Sequence, residues 1–139
     1  MIKIEKFFLE YPSYYIKVEL YNQHKTVVLL DSRNQNRTIY IEYMKSTDIR
    51  KHIQQNLKDL EDMYEKKYKV STNKVSEYKN RKLYVLEYNF TQIDGDYRSL
   101  KYFWEVGDGE YLCLYCLSPI SEFDQVYQDF VKIWESVKE

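Results

Sequence analysis

Glycine, proline, histidine and cysteine are nearly missing from this chain, with three, two, two and two copies in 139 residues. Each scarcity removes a class of function. Glycine stands only at Gly95, Gly107 and Gly109, so no Gly-rich phosphate-cradling loop can be built. His24 and His52 are the only histidines. His24 falls in a polar loop and His52 on the polar side of a helix. Neither has a sequence-local Asp, Cys or Ser that would make a triad. There is no H-E-x-x-H, no H-x-x-x-H and no EF-hand loop. No metal-binding, cofactor-binding or catalytic residue is assigned, and the expectation is a protein that is not an enzyme.

Charge of one sign is also lacking. The 21 Lys and Arg against 22 Asp and Glu leave a net charge of -1. No global field draws in nucleic acid or an anionic membrane, so neither is expected as a partner. No apolar run approaches the roughly 20 residues of a membrane-spanning helix. The first ten residues are charged throughout and lack the apolar stretch of a signal peptide. A cytoplasmic protein is expected, or an extracytoplasmic one if a leader precedes Met1.

What is present is 44% hydrophobic and 31% charged residues, ordinary for a folded chain with a core. No repeat, linker or low-complexity segment interrupts it, and a single domain over residues 1–139 is expected. The two cysteines form a C-x-x-C, Cys113 and Cys116. They lie in a strand-like apolar run. Strand side chains alternate faces, so an odd separation sends them to opposite faces. They read as buried structural thiols rather than a redox or zinc pair.

Residues 14–20 alternate, with Tyr14, Ile16, Val18 and Leu20 against Tyr15, Lys17 and Glu19, the pattern of a half-buried strand. Residues 26–30 form a strand buried on both faces, and residues 38–44 form the next strand, with Ile39, Ile41 and Tyr43 facing one way. A short strand near residues 7–10 precedes Pro12. Ser46-Thr47-Asp48 supplies helix N-cap candidates. Ile49, Ile53, Leu57, Leu60 and Tyr64 then recur at helical spacing as one apolar stripe, with charges on the solvated remainder. Period two returns from Val75.

Residues 82–138 read as three strands, two glycine turns and a final helix. Tyr84, Leu86, Tyr88 and Phe90 share one face of the first strand. Asp94-Gly95 signals a hairpin. Leu100, Tyr102, Trp104 and Val106 share a face of the second, and Gly107-Asp108-Gly109 turns the chain into the third. After Pro119, Ser121 is a candidate N-cap, and Phe123, Val126, Tyr127, Phe130, Ile133, Trp134 and Val137 form a wide apolar helix face. Hairpins and segregated helices indicate an α+β fold: an antiparallel sheet with two long helices. Glu87 and Glu105 could form a carboxylate pair, though nothing in the sequence places them together.

Five segments, in order, carry a resemblance over essentially the whole chain. They are Tyr11-Pro12-Ser13; Ile53-x-x-x-Leu57-x-x-Leu60; Leu86-Glu87-Tyr88; Phe103-x-Glu105-Val106-Gly107-Asp108; and Phe130-x-x-Ile133-x-x-Ser136-x-Lys138. The chain resembles the PsbP-like family, which also holds DcrB-like bacterial proteins and a yeast Ran-binding factor. Tyr15 stands near a position where members often carry Trp. The resemblance implies an α/β/α sandwich, no catalytic residues, and action by binding other proteins. Members include photosystem subunits, envelope lipoproteins and Eag-type chaperones of secretion effectors, and fold alone does not choose among these roles.

Sixteen tyrosines are the remaining oddity. They either simply pack or make an aromatic binding face, for which tyrosine, apolar with a polar tip, is well suited. Tyr84, Tyr88, Tyr102, Trp104, Tyr111 and Tyr115 are the candidate protein-binding residues. The leading expectation is a small chaperone or adaptor that presents a Tyr- and Leu-rich sheet face to an apolar peptide or helix of a secreted or membrane protein, as a monomer or a homodimer. Alternatives are an immunity-type toxin-binding protein, the soluble domain of an envelope lipoprotein, and an enzyme or small-ligand carrier.

Overall fold

The computed structural model describes residues 1–21, 25–34, 36–65 and 67–139, with Tyr21 described by its backbone alone. The His24 loop lies outside them. The elements are β1 (Ile2–Ile4), β2 (Phe7–Leu9), β3 (Tyr15–Tyr21), β4 (Lys25–Asp31), β5 (Thr38–Lys45), α1 (Ile49–Tyr64), β6 (Tyr68–Tyr78), β7 (Arg81–Gln92), β8 (Gly95–Gly107), β9 (Glu110–Pro119) and α2 (Phe123–Glu135). Seven strands form one antiparallel sheet in the order β3-β4-β5-β9-β8-β7-β6, and β1 pairs with β2 separately. This is an α+β fold, with a helix on each face of an antiparallel sheet.

The final helix behaves as its sequence stripe requires. Phe123, Val126, Phe130, Ile133 and Trp134 are buried against Val27, Leu29, Ile39, Ile41, Leu112, Leu114 and Cys116 of the sheet. Each such side chain stabilises by roughly 1.5–3 kcal/mol on burial. The β1–β2 hairpin packs into the same core through Ile2, Ile4, Phe7 and Leu9. It is also tied to the end of the chain, where Phe8 and Lys138 exchange backbone hydrogen bonds of 2.7 and 2.9 Å. Tyr14 and Tyr15 clamp β3 to the helix by donating to the two carboxylate oxygens of buried Asp129, at 2.5 and 2.8 Å.

The other face carries α1. Asp48 is its N-cap, accepting from the Lys51 N–H at 3.1 Å. Ile49, Ile53 and Leu60 are buried, against Tyr84, Leu86, Phe103 and Cys113 at one end and Phe90 and Tyr97 at the other.

Several sequence expectations are corrected. Ser121 is not the α2 N-cap; a 3-10 turn (Ile120–Glu122) leads into the helix, and no side chain caps it. The β7–β8 turn falls on Ile93 and Asp94 rather than Asp94 and Gly95. Gly95 is the first residue of β8, and its φ of +137° brings the chain back into the ladder. His52 is not free of the core, because its ring lies edge-on to Phe103 at 5.8 Å. Strand β6 starts at Tyr68, ahead of the Val75 expected from alternation, and β1 was not legible. In β3 the apolar row points outward: Ile16, Val18 and Leu20 are 55%, 39% and 42% exposed, while Tyr15 is buried. The Tyr15–Asp129 bond fixes that orientation, since a strand can turn only one of its faces toward α2.

Candidate functional site

The cross-strand register lines up one row of residues over the whole α1 face: Val18, Val28, Tyr40, Tyr115, Lys101, Leu86 and Asn73, each directly opposite the next. Helix α1 rests on the β6 and β7 end of this row. Leu86 there is fully buried, Tyr40, Tyr115 and Lys101 are half-buried, Val28 is buried, and Val18 at the far edge is exposed. Among the described residues, α1 covers mainly the β6 and β7 end of this face.

Where the helix ends its coverage a groove of about 400 Å³ opens. Leu60, Met63 and Asn56 of α1 form its wall, and Tyr40, Tyr115 and Lys101 lie in its floor. Among the described residues two charged side chains line the groove, Lys101 in the floor and Asp59 on α1. The Lys101 Nζ donates to Asn56 Oδ1 at 2.8 Å and sits 5.6 and 5.4 Å from the Tyr88 and Tyr115 ring centres. Both rings offer their negative faces to the ammonium. Among the described residues no carboxylate is ion-paired with it. The Tyr115 hydroxyl donates to Glu42 Oε2 at 3.1 Å. Burial, with Cys113 and Glu42 nearby, holds its pKa well above the ordinary value. The groove thus has a largely apolar and aromatic lining that also carries Asn56, Asp59, Gln92 and Ser99, with one positive hydrogen-bond donor at its base.

The six candidate binding residues do not share one surface. Tyr102 and Trp104 face α2, where Tyr102 packs edge-on to Phe130 and Trp134 at 4.9 and 5.2 Å. The Trp104 indole N–H donates to the Tyr78 carbonyl at 3.0 Å. Tyr84 and Tyr111 lie on the α1 face but are buried in its core. Tyr88 and Tyr115 alone among the six line the groove. The sequence reading missed Lys101, Asn56, Tyr40 and Met63. Lys101 and Asn56 come from segments 45 positions apart, so no local pattern could join them. A signal did exist in β3, whose apolar row lacks a matching apolar face on its other side.

The sequence-suggested chemistry does not assemble. Glu87 pairs across strands with Leu100 of the α2 core, whereas Glu105 pairs with Tyr111 of the α1 core. Their carboxylates are on opposite faces. Glu87 Oε1 instead accepts from the Ser71 hydroxyl at 2.8 Å. Cys113 and Cys116 are both fully buried and unpaired, one in each core. Burial pushes both thiols up, away from reactivity. Among the described residues no cluster of three His, Cys, Asp or Glu could hold a metal, and no helix is long and apolar enough to cross a membrane.

No protein-family model matches the chain, and no curated protein matches it by sequence. Solved structures do match. Cyanobacterial PsbP (CyanoP) from Synechocystis sp. PCC 6803 superposes with a TM-score of 0.71 at 15% identity, covering 95% of this chain and 85% of that one. LpqN of Mycobacterium tuberculosis, described as involved in cell envelope biogenesis, gives 0.66 at 13% identity, with 95% and 82% covered. PA94 of Pseudomonas aeruginosa, a protein of unknown function described as a putative regulator, gives 0.59 at 9% identity, with 86% and 95% covered. With the sheet, the two helices and these likenesses together, the chain has the PsbP-like fold.

Proposed function

We propose that this protein is a non-catalytic binding module that seats an apolar peptide or helix on the open half of its α1 face. One observation carries this reading: among the described residues helix α1 rests on the β6 and β7 end of the register-aligned row, which runs on from the buried Leu86 through the Lys101 groove and half-buried Tyr40 to buried Val28 and exposed Val18. An apolar segment laid there would bury Ile16, Val18 and Leu20 together with the Tyr40 and Tyr115 rings. Lys101 would meet a carbonyl or carboxylate of the segment at the groove base. A surface of this kind suits a chaperone or adaptor that shields an apolar segment of a secreted or membrane protein.

A photo-crosslinking side chain placed at Tyr40 or Met63 in the native host tests this. The expected result is one specific adduct, absent when the probe sits at Lys132 on the outer side of α2, and weakened by Val18→Asp. Equal labelling from both positions overturns the reading.

The likeness to LpqN supports a second reading, the soluble domain of an envelope lipoprotein. Fractionation of the native host decides it: membrane-bound protein favours this role, and freely soluble protein removes it.

A further inference from the structure

The sequence of β3 is a palindrome in chemical terms. Tyr15-Ile16-Lys17-Val18-Glu19-Leu20-Tyr21 reads as tyrosine, aliphatic, charge, aliphatic, opposite charge, aliphatic, tyrosine about Val18. This strand is one of the two edges of the seven-stranded sheet.

Among the described residues no strand pairs with the outer side of β3. The Ser32 N–H donates to the Tyr14 carbonyl at 2.9 Å, and the register continues from Tyr15 opposite Asp31. In an antiparallel ladder, bonded pairs alternate. The groups bonded to β4 are therefore those of Ile16, Val18 and Leu20, and the amides and carbonyls of Lys17 and Glu19 point away from the sheet. Natural edges are usually blunted by bulges, charges or proline. The opposite edge, β6, follows that rule: it carries a register shift between Val70 and Thr72 and exposed Lys69, Lys74 and Glu77. On β3 there is no register shift and no proline, and one whole face is exposed aliphatic.

We infer that β3 pairs antiparallel with β3 of a second copy about a two-fold axis at Val18. In that register Lys17 of each copy lies opposite Glu19 of the other, twice. These are the two residues whose backbone groups face outward, so each such pair closes a hydrogen-bonded ring. The same Lys17 and Glu19 already lie on one face, 3.5 Å apart within the strand, so the charges are positioned to exchange partners. On the other face Ile16 meets Leu20 and Val18 meets Val18 of the second copy. Such a contact is isologous and closed. A one-residue slip would destroy every match, setting aliphatic residues against charges. The resulting sheet of fourteen strands would join the two open half-faces into a single floor between two α1 walls, which deepens the proposed binding role without depending on it.

The full chain is examined by sedimentation and light scattering up to about 100 μM, enough to populate a dimer of micromolar affinity. A dimer is expected. Lys17→Glu and Glu19→Lys each place two like-charge pairs across the axis, and each should weaken the dimer by about 10- to 100-fold. Mixing the two variants should restore association as a heterodimer, and the double exchange should restore the homodimer. The thiol introduced by Val18→Cys should cross-link to its symmetry mate on mild oxidation, since a directly opposed pair lies within disulfide reach. Far-UV circular dichroism of all variants should match the parent, because these positions are exposed. A parent that stays monomeric overturns the inference. So does a dimer that ignores both single charge reversals, or two variants that fail to associate when mixed.

Discussion

Removing the carboxylate of Asp129 should unfasten β3 from α2. The side chain is buried and accepts from both Tyr14 and Tyr15 hydroxyls, at 2.5 and 2.8 Å. Hydrogen bonds to a charged acceptor contribute about 1.5–3 kcal/mol each, and a buried hydroxyl left unsatisfied costs about 1–3 kcal/mol. Tyr14 is half-buried and can turn to water, so its loss is the smaller one. Tyr15 is 4% exposed and cannot. Asp129→Ala should therefore cost about 3 kcal/mol, a large share of a typical 5–15 kcal/mol stability. With a urea m-value of about 2 kcal/mol/M for a chain of this size, the midpoint should fall by about 1.5 M. Urea unfolding followed by fluorescence of Trp104 and Trp134 reads this directly. Tyr15→Phe should cost only about 1.5 kcal/mol, because Tyr14 still holds the carboxylate. In the Asp129→Ala background the same change should be nearly neutral, since it removes a stranded hydroxyl. If the two substitutions simply add, or if Asp129→Ala costs no more than Asp124→Ala on the solvent side, the clamp is not what holds β3.

Further outcomes follow from other parts of the molecule. Burial raises the Tyr43, Tyr102 and Tyr111 hydroxyls to about 12, helped respectively by Glu110, Tyr127 and Glu105. The folded values exceed the unfolded one, so this stability is complete below about pH 10. It should be lost as pH climbs from there to about 12, with absorbance at the tyrosinate band rising in two phases. Burial opposes ionisation of Asp31, but side-chain and backbone hydrogen bonds from Arg33 and the charges of Arg33 and Arg37 outweigh it and lower its pKa. Its stabilisation is present above the unfolded value near 3.9 and disappears as pH falls below that. Asp31→Asn should flatten the acid limb of the urea midpoint. A thiol reagent should leave the native protein unlabelled and label two cysteines on unfolding, because Cys113 and Cys116 are fully buried. Lys101→Met should weaken binding of an apolar segment about 10-fold while leaving the thermal midpoint within a few degrees.

Much of the fold was legible because its signals are local. The stripe Phe123, Val126, Phe130, Ile133 could only be a buried helix face, and the alternation through Tyr84 and Leu86 could only be a strand. Strand β1 escaped because three residues, with Lys3 in their middle, are too few to show a period. The first half of β6 escaped because most of it is exposed, and an edge strand has no buried face to impose alternation. The site was barely legible. Alternation shows that Tyr88 and Tyr102 belong to opposed sets only once the register of β7 on β8 is known, and register is a long-range property. That α1 stops short of Tyr40 depends on where a helix lands on a sheet, which its own sequence does not state. The outward row of β3 was visible as a pattern, yet its direction was settled by Asp129, more than a hundred residues away.

The strand order has a kinetic consequence. Strands β3 to β5 form one meander and β6 to β9 another, each built from hairpins between chain neighbours. The two meet along a single seam, β5 on β9, where Ile39 faces Cys116 and Ile41 faces Leu114. Hairpins close in microseconds, whereas a seam between distant segments must first overcome the entropy of a long loop. Completion of that seam is the slow step this topology imposes. Until it forms, β5 presents an unpaired apolar edge, so Ile39→Val and Ile41→Val should slow folding more than equally buried changes within either meander.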